Sequence, residues 1–205
     1  MKLTRRTFVA AGSAGIVATA GCLGGEDEVE EPDEPPLPIP VVGDPDASVT
    51  VRVFEDFSCP GCREFKQGVY PEIEAAYIDA GDIRYEHHDF PIPVDETWSW
   101  GIAGAARSVQ EQGGDEAFWS FAGEVYEHQG SYSYDAIETV AENAGVDGGQ
   151  ASSDAEEGVY RDQLEELRAN AEAAGVSGTP TVVVNDSAVD PEFSAIEATI
   201  DAALE

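Results

Sequence analysis

Two thiols stand three residues apart in Cys59-Pro60-Gly61-Cys62, in a chain of 205 residues. Before them, the run from Val49 to Glu55 alternates as a strand does. After them, Phe65, Val69, Ile73 and Tyr77 recur at helical spacing. Cys59 is therefore expected at a helix N-cap, with Pro60 at the first helical position, where its missing N–H costs nothing. Unpaired backbone N–H groups and the positive end of the helix dipole favour a thiolate there. Cys62 falls on the same face one turn on, within the roughly 4.4–6.8 Å Cα separation that a disulfide needs. Such a pair can close and reopen without rebuilding the backbone, which is the requirement of thiol–disulfide exchange.

Other uses of two cysteines fit less well. Thiolate zinc needs two further ligands, and the chain has no second CxxC and only His87, His88 and His128 as imidazoles. No metal and no cofactor are expected, and a copper carrier using the thiols with His87 or His88 is the competing function. An inert disulfide closing four residues would stabilise little. His87 and His88 are neighbours on a predicted strand, so at most one faces inward, and surface positions are expected for them. Glu55 and Asp56 are candidates to assist proton transfer. Their charges raise the Cys59 pKa while Arg63 lowers it, and no His or Lys lies inside the tetrapeptide to push the thiolate to an extreme.

The elements that must position these residues follow from periodicity and turn signals. A strand over 49–55 leads into a helix that Pro71 kinks and Gly81 ends. A second strand covers 83–90 and is closed by Pro91 and Pro93. Helical spacing then dominates from about 95 to 174, as segments 95–112, 115–128, 134–145 and 153–174. Trp98, Trp100, Phe118, Trp119, Phe121 and Tyr126 recur at helical intervals and are expected in the core. Thr181 to Val184 reads as a strand, Asn185-Asp186 as a turn and 191–204 as a closing helix.

Two local motifs give this order a family likeness. One is Glu55-Asp56-Phe57-Ser58-Cys59-Pro60-Gly61-Cys62. The other is Gly175-Val176-Ser177-Gly178-Thr179-Pro180-Thr181-Val182, about 120 residues later. Together they resemble the DsbA-like branch of the thioredoxin fold. The resemblance implies an α/β, thioredoxin-like domain over 48–205, with a helical insertion between the second strand and the cis-proline strand. It implies Cys59 as nucleophile and Cys62 as resolving thiol, joined as a redox-active disulfide, with Pro60 and Gly61 between them. It makes Pro180 the cis-proline and Thr179 a backbone contact for a substrate strand. Protein thiols or disulfides would be the substrates and a membrane protein of unknown identity the redox partner; a reductase or isomerase is the alternative direction. One departure is plain: the family's buried acid six residues before the first cysteine is here Val53.

The ends and the charge bear on location. Residues 1–21 carry Arg5-Arg6 ahead of a weakly apolar Ala/Gly run, as a twin-arginine export signal does. The run is too short and glycine-rich for a comfortable membrane span. Thr19-Ala20-Gly21-Cys22 resembles a lipobox, so Cys22 is expected to carry lipid and to tether an exported protein to the cell membrane. This also removes the odd cysteine of three. Residues 22–47 form an acidic, proline-rich linker whose end, 39–42, can add an edge strand. Acidic residues number 42 against 10 Lys and Arg, for a net charge of −32, spread along the chain as in halophilic proteins. Such a surface excludes nucleic acid as a partner.

Overall fold

The computed structural model describes residues 36–92 and 94–205. The twin-arginine segment, Cys22, most of the acidic linker and Pro93 lie outside the described residues. Five strands form one mixed sheet in the order β1-β3-β2-β4-β5. Central β2 (Val49–Glu55) runs parallel to β3 (Ile83–Asp89) and antiparallel to β4 (Thr181–Val184). The edges are β1 (Val41–Gly43), antiparallel to β3, and β5 (Ser187–Val189), antiparallel to β4. The turn expected at Asn185-Asp186 thus opens a hairpin, and its second strand, too short and polar to stand out in the sequence, is an addition.

Side chains alternate across a strand, and the register decides which of them meet. Val49 pairs with Ile83, Val51 with Tyr85, Val53 with His87 and Glu55 with Asp89, all on one buried face. The face is aliphatic at one end and polar at the other. Phe65 and Ile73 of the thiol-bearing helix, with Ile196 and Ile200 of α7 (Phe193–Leu204), cover its aliphatic part. Each such side chain contributes roughly 1.5–3 kcal/mol on burial. The opposite face packs Phe54 and Phe90 on Ala171 of α6 (Arg161–Ala173).

The helix after the thiols is continuous but not uniform. α1 (Pro60–Glu64) and α2 (Tyr70–Ile73) alternate with π-helical turns over Phe65–Val69 and Glu74–Ile78. Pro71 cannot donate to the preceding turn and its ring crowds the carbonyl there, and the widened turns accommodate it where a kink was expected. Gly81 ends the run with φ +74.

The insert is built from α3 (Trp98–Val125), α4 (Tyr134–Asn143), α5 (Gly148–Glu157) and α6. α3 is two helices end to end, broken at Gly114 (φ 73, ψ −168), close to the expected break between 112 and 115. The single helix expected over 153–174 is instead two, α5 and α6, because Gly158 turns left-handed (φ 70). Phe118, Phe121, Val125, Tyr126, Ile137, Val140 and Leu164 form the insert core, and Cys59 and Cys62 belong to the same cluster.

The expected domain start at 48 gives way to one at Pro36. The last part of the supposed linker lies against the insert. Leu37 packs on its core, Gln163 Nε2 donates to Leu37 O (2.9 Å), and Arg107 Nη1 and Gln110 Nε2 donate to Pro38 O (3.0 and 3.1 Å). Proline-rich backbone is poor in N–H donors but keeps every carbonyl, and these side chains use the carbonyls.

Candidate active site

Cys59 caps α1 with extended backbone (φ −75, ψ 122) and no side-chain cap, Pro60 following as the first helical residue. Its sulfur lies over the N–H groups of Gly61 and Cys62, and as a thiol it donates to Thr179 O at 3.5 Å. The Thr179–Pro180 peptide is cis. A Cβ at Gly61 would stand 3.2 Å from Pro180 Cδ, so the missing side chain lets the two loops close on each other.

The two sulfurs differ in their surroundings. Cys59 keeps 7% of its surface exposed and Cys62 none. A hydrogen bond from the Cys62 thiol, reinforced by Thr179 and by the Cys62 and Gly61 N–H groups, outweighs burial and pulls Cys59 down to about 5. Burial, the same hydrogen bond and the Glu55 charge push Cys62 far above the ordinary thiol range. One thiol is an anion at neutral pH and the other is its donor. Hydrogen bonds do this without a His or Lys in the tetrapeptide.

The preceding loop is pinned from both sides. Asp56 Oδ1 accepts from Ser58 N (2.7 Å) and Oδ2 from Ile92 N (2.8 Å). Both oxygens are thus committed to backbone, and Asp56 braces the loop. Burial raises its pKa to about 6 against those N–H contacts. From the insert, Gln129 Nε2 donates to Phe57 O (2.8 Å) and Cys59 O (3.0 Å), and Tyr132 hydroxyl donates to Phe57 O (2.8 Å). A cleft of about 340 Å³ opens beside Pro60, walled by Trp98, Gln129 and Tyr132.

Glu55, the other candidate, is 2% exposed and lies on the sheet face below the thiols. Its Oε2 is 3.1 Å from His87 Nδ1 and its Oε1 is 3.5 Å from the Tyr126 hydroxyl. Val53 and Glu55 share that face, so the carboxylate absent at Val53 is restored one pleat along. Surface exposure, expected for both histidines, is wrong for His87, which is 1% exposed. His87 Nε2 is 3.2 Å from Asp89 Oδ1, and Asp89 Oδ2 accepts from Arg107 Nε at 2.7 Å. The inward set Ile83, Tyr85, His87, Asp89 was the signal for it. His88 bonds Glu86 at 2.9 Å, so neither histidine joins the thiol pair as a copper site requires. Among the described residues no cluster of three His, Cys, Asp or Glu side chains suits a metal ion. Lys66 was not foreseen: it is buried, its Nζ is 3.3 Å from the Tyr70 ring centroid, and burial lowers it to about 8 against the pull of Glu55 and Glu74.

Cys59, Cys62, Pro60, Gly61, Thr179, Pro180, Glu55 and Asp56 are thus gathered in one place; Cys22 lies outside the described residues. A mixed sheet, a thiol pair at a helix N-terminus, a cis-proline loop against it and a helical insert define a thioredoxin-fold redox protein. A family model described as thioredoxin matches residues 38–202. The chain is 28% identical over 173 residues to a probable disulfide bond formation protein D of Bacillus anthracis, covering 80% of this chain and 77% of that one. The solved structure of oxidised BdbD from Bacillus subtilis superposes with a TM-score of 0.74 at 25% identity, covering 81% of this chain and 92% of that one. The DsbA of Chlamydia trachomatis shares the fold, with a TM-score of 0.72 at 22% identity over 84% of this chain and 95% of that one. The chain belongs to the thioredoxin family and is a DsbA-like thiol–disulfide oxidoreductase.

Proposed function

We propose that this chain forms disulfides in proteins outside the cytoplasm, using Cys59 and Cys62 as its redox pair. The observation that carries the reading is the asymmetry of the sulfurs: a thiolate at Cys59, pulled to about 5, beside a fully buried Cys62. A substrate thiolate attacks Cys59 Sγ of the oxidised pair, and the Cys59–Cys62 bond breaks with Cys62 as leaving group. A second substrate thiolate then attacks its partner sulfur. The substrate disulfide forms, Cys59 leaves as thiolate, and two electrons remain on the enzyme. A stable Cys59 thiolate is a good leaving group and favours the reduced enzyme, which makes the pair oxidising. An unidentified membrane redox partner removes the electrons. The cis-proline loop supports this use, since Thr179 O lies at the Cys59 sulfur, where a substrate strand would pair.

The twin-arginine segment and Cys22 support export and a lipid tether at the outer face of the cell membrane. Among the described residues no helix is long and apolar enough to cross a membrane. The net charge of −32 supports a high-salt setting.

Trapping tests the mechanism. Cys62→Ser should accumulate covalent complexes with disulfide-bearing proteins, whose bond the Cys59 thiolate opens with release of the other sulfur as a thiolate, and reductant should dissolve them; Cys59→Ser should give none. Equal trapping by both variants would refute the assignment of roles. A reduction potential near −120 mV fits an oxidant, and one near −270 mV would overturn the direction proposed.

A further inference from the structure

With 42 acidic residues against 10 Lys and Arg, a cation without a carboxylate is the exception in this chain. Lys2, Arg5 and Arg6 lie outside the described residues, and five of the remaining arginines are paired. Arg52 meets Asp186, Arg84 meets Glu86, Arg107 meets Asp89, Arg161 meets Glu165 and Arg168 meets Glu172. Lys66 lies over the Tyr70 ring. Among the described residues Arg63 alone has neither a carboxylate nor an aromatic ring, and it directly follows Cys62. The sequence around it explains why. On α6 the residue four positions on from each arginine is a glutamate, Glu165 or Glu172. Around Arg63 the positions three and four away are Cys59, Pro60, Lys66 and Gln67, none of them an acid.

The position of this half-buried arginine is that of a substrate contact. Its N–H donates to Cys59 O at 3.2 Å, one turn back. Side chains four apart share a helix face and lean toward the N-terminus, which carries the guanidinium toward the Cys59 end of α1. Burial raises the Tyr132 hydroxyl, Asp56 adds to this and the Arg63 charge opposes both, so Arg63 stands near that wall of the cleft beside Pro60. Nearby acids are engaged elsewhere. Asp56 accepts from Ser58 N and Ile92 N, and Asp95 Oδ1 accepts from Thr97 N and Trp98 N at 3.0 and 2.9 Å. Glu64 is turned about 100° round the helix from Arg63. The Cys59 thiolate has its own donors in Cys62, Thr179 O–facing contact and the Gly61 and Cys62 N–H groups, so the guanidinium is left to a partner.

We propose that Arg63 sets substrate preference: it pairs with an Asp or Glu side chain beside the reacting cysteine of the substrate protein. The inference rests on the oxidising roles assigned above to Cys59 and Cys62. The exchange itself is unchanged; the substrate thiolate attacks Cys59 Sγ while the flanking carboxylate docks on the guanidinium one turn along. Arginine suits this use, because its planar fork takes a carboxylate with two parallel N–H donors. A carboxylate close to a substrate thiol raises that thiol's pKa and disfavours its thiolate, and pairing with Arg63 removes that handicap at the moment of attack. The net charge of −32 repels acidic proteins at low ionic strength. At about 1 M salt the Debye length is roughly 3 Å, so the repulsion between surfaces fades while a pair in contact persists. In such a medium Arg63 is the attractive charge that remains beside the thiols.

The test uses the oxidised full chain carrying Cys22→Ser and dithiol peptides that differ only in the residues flanking their cysteines: Asp, Asn or Lys. Rates of peptide oxidation near neutral pH are divided by each peptide's rate with the uncharged disulfide 4,4′-dithiodipyridine, which removes differences in thiol reactivity. With Arg63 in place the normalised rates should rank Asp over Asn over Lys. The Asp peptide should exceed the Asn peptide by about 2- to 5-fold, the range of one exposed ion pair. Arg63→Gln should abolish that excess, Arg63→Lys should keep part of it, and Arg63→Glu should reverse the ranking. The excess should survive at about 1 M salt, as a contact pair does. Equal normalised rates for the Asp and Asn peptides overturn the inference, and that comparison needs no variant at position 63. An excess that persists in Arg63→Gln, or that disappears at about 1 M salt, overturns it too. Failure to oxidise any of the peptides, or oxidation that survives Cys59→Ser, would instead sink the roles given to the thiol pair and the preference with them.

Discussion

The pull on Cys59 can be dissected at one atom. Its largest source is the hydrogen bond from Cys62, ahead of Thr179 and the two N–H groups. A hydrogen bond to a charged group contributes roughly 1.5–3 kcal/mol. One pKa unit corresponds to about 1.36 kcal/mol, so losing the donor should raise the Cys59 pKa by about 1 to 2. Cys62→Ser keeps an O–H donor in place and should stay near 5, whereas Cys62→Ala should move to about 6–7. The assay is thiolate absorbance in the ultraviolet, followed from acid to neutral pH on the reduced Cys62 variants in which Cys22 is also replaced by Ser, so that Cys59 is the one thiol left. At pH 5 the smaller thiolate fraction of the Ala variant should slow iodoacetamide alkylation by about 5- to 50-fold. The difference should persist at about 1 M salt, because a hydrogen bond at contact is not screened as the Arg63 charge would be. Equal pKa values in the Ser and Ala variants would refute the idea that Cys62 stabilises the thiolate. Collapse of a low pKa on adding salt would point to surface charge instead.

Gly61→Val should disturb the approach of the cis-proline loop, since even a Cβ there meets Pro180 Cδ at 3.2 Å; thermal unfolding should show a loss of about 1–3 kcal/mol, typical of overpacking. The His87 pKa is raised in the folded protein, so its contribution to stability is present below about 6.5 and is lost as pH rises through the folded value. In the oxidised protein, where Cys59 carries no thiol to add the opposite slope that its depressed pKa gives the reduced form, denaturant unfolding should therefore weaken from about pH 6.5 upward, and His87→Gln should flatten that slope; an identical slope in the variant would exclude His87 as its source. Above about 8 the depressed Lys66 acts in the opposite sense, because the unfolded lysine stays charged to higher pH, so the comparison belongs below that value. Cys22→Ser should release the protein from membranes without altering thiol exchange, and its continued retention would rule out the lipid tether.

Much of the framework was legible because each signal was local. A strand running into Cys-Pro-Gly-Cys, helical spacing after it and Thr-Pro-Thr-Val before a strand locate β2, the thiol helix and β4 without knowledge of what packs where. Boundaries set by glycine geometry were less visible. Gly158 reads as one more small residue in a helical stretch, and only its left-handed backbone shows that two helices meet there. The domain start at Pro36 was hidden for another reason. Its proline-rich, acidic composition is that of a solvated tether, while the groups that bind it, Arg107, Gln110 and Gln163, lie far away in sequence.

The polar heart of the site shows what alternation can reveal when two strands are read together. Val53 at the family's acid position looks like a lost function if β2 is taken alone. Placed in register with β3, the same face carries Val53 beside His87 and then Glu55 beside Asp89. The acid has moved by one pleat and acquired a partner on the neighbouring strand. That partner is a histidine, whose charge can change near neutral pH, whereas a lysine or arginine there would stay charged. A buried carboxylate beside a fixed cation is held in one state. The His87 ring is held at both nitrogens, by Glu55 and by Asp89, and Arg107 in turn fixes Asp89, so the position of the Glu55 carboxylate under the site is set from the neighbouring strand and from the insert.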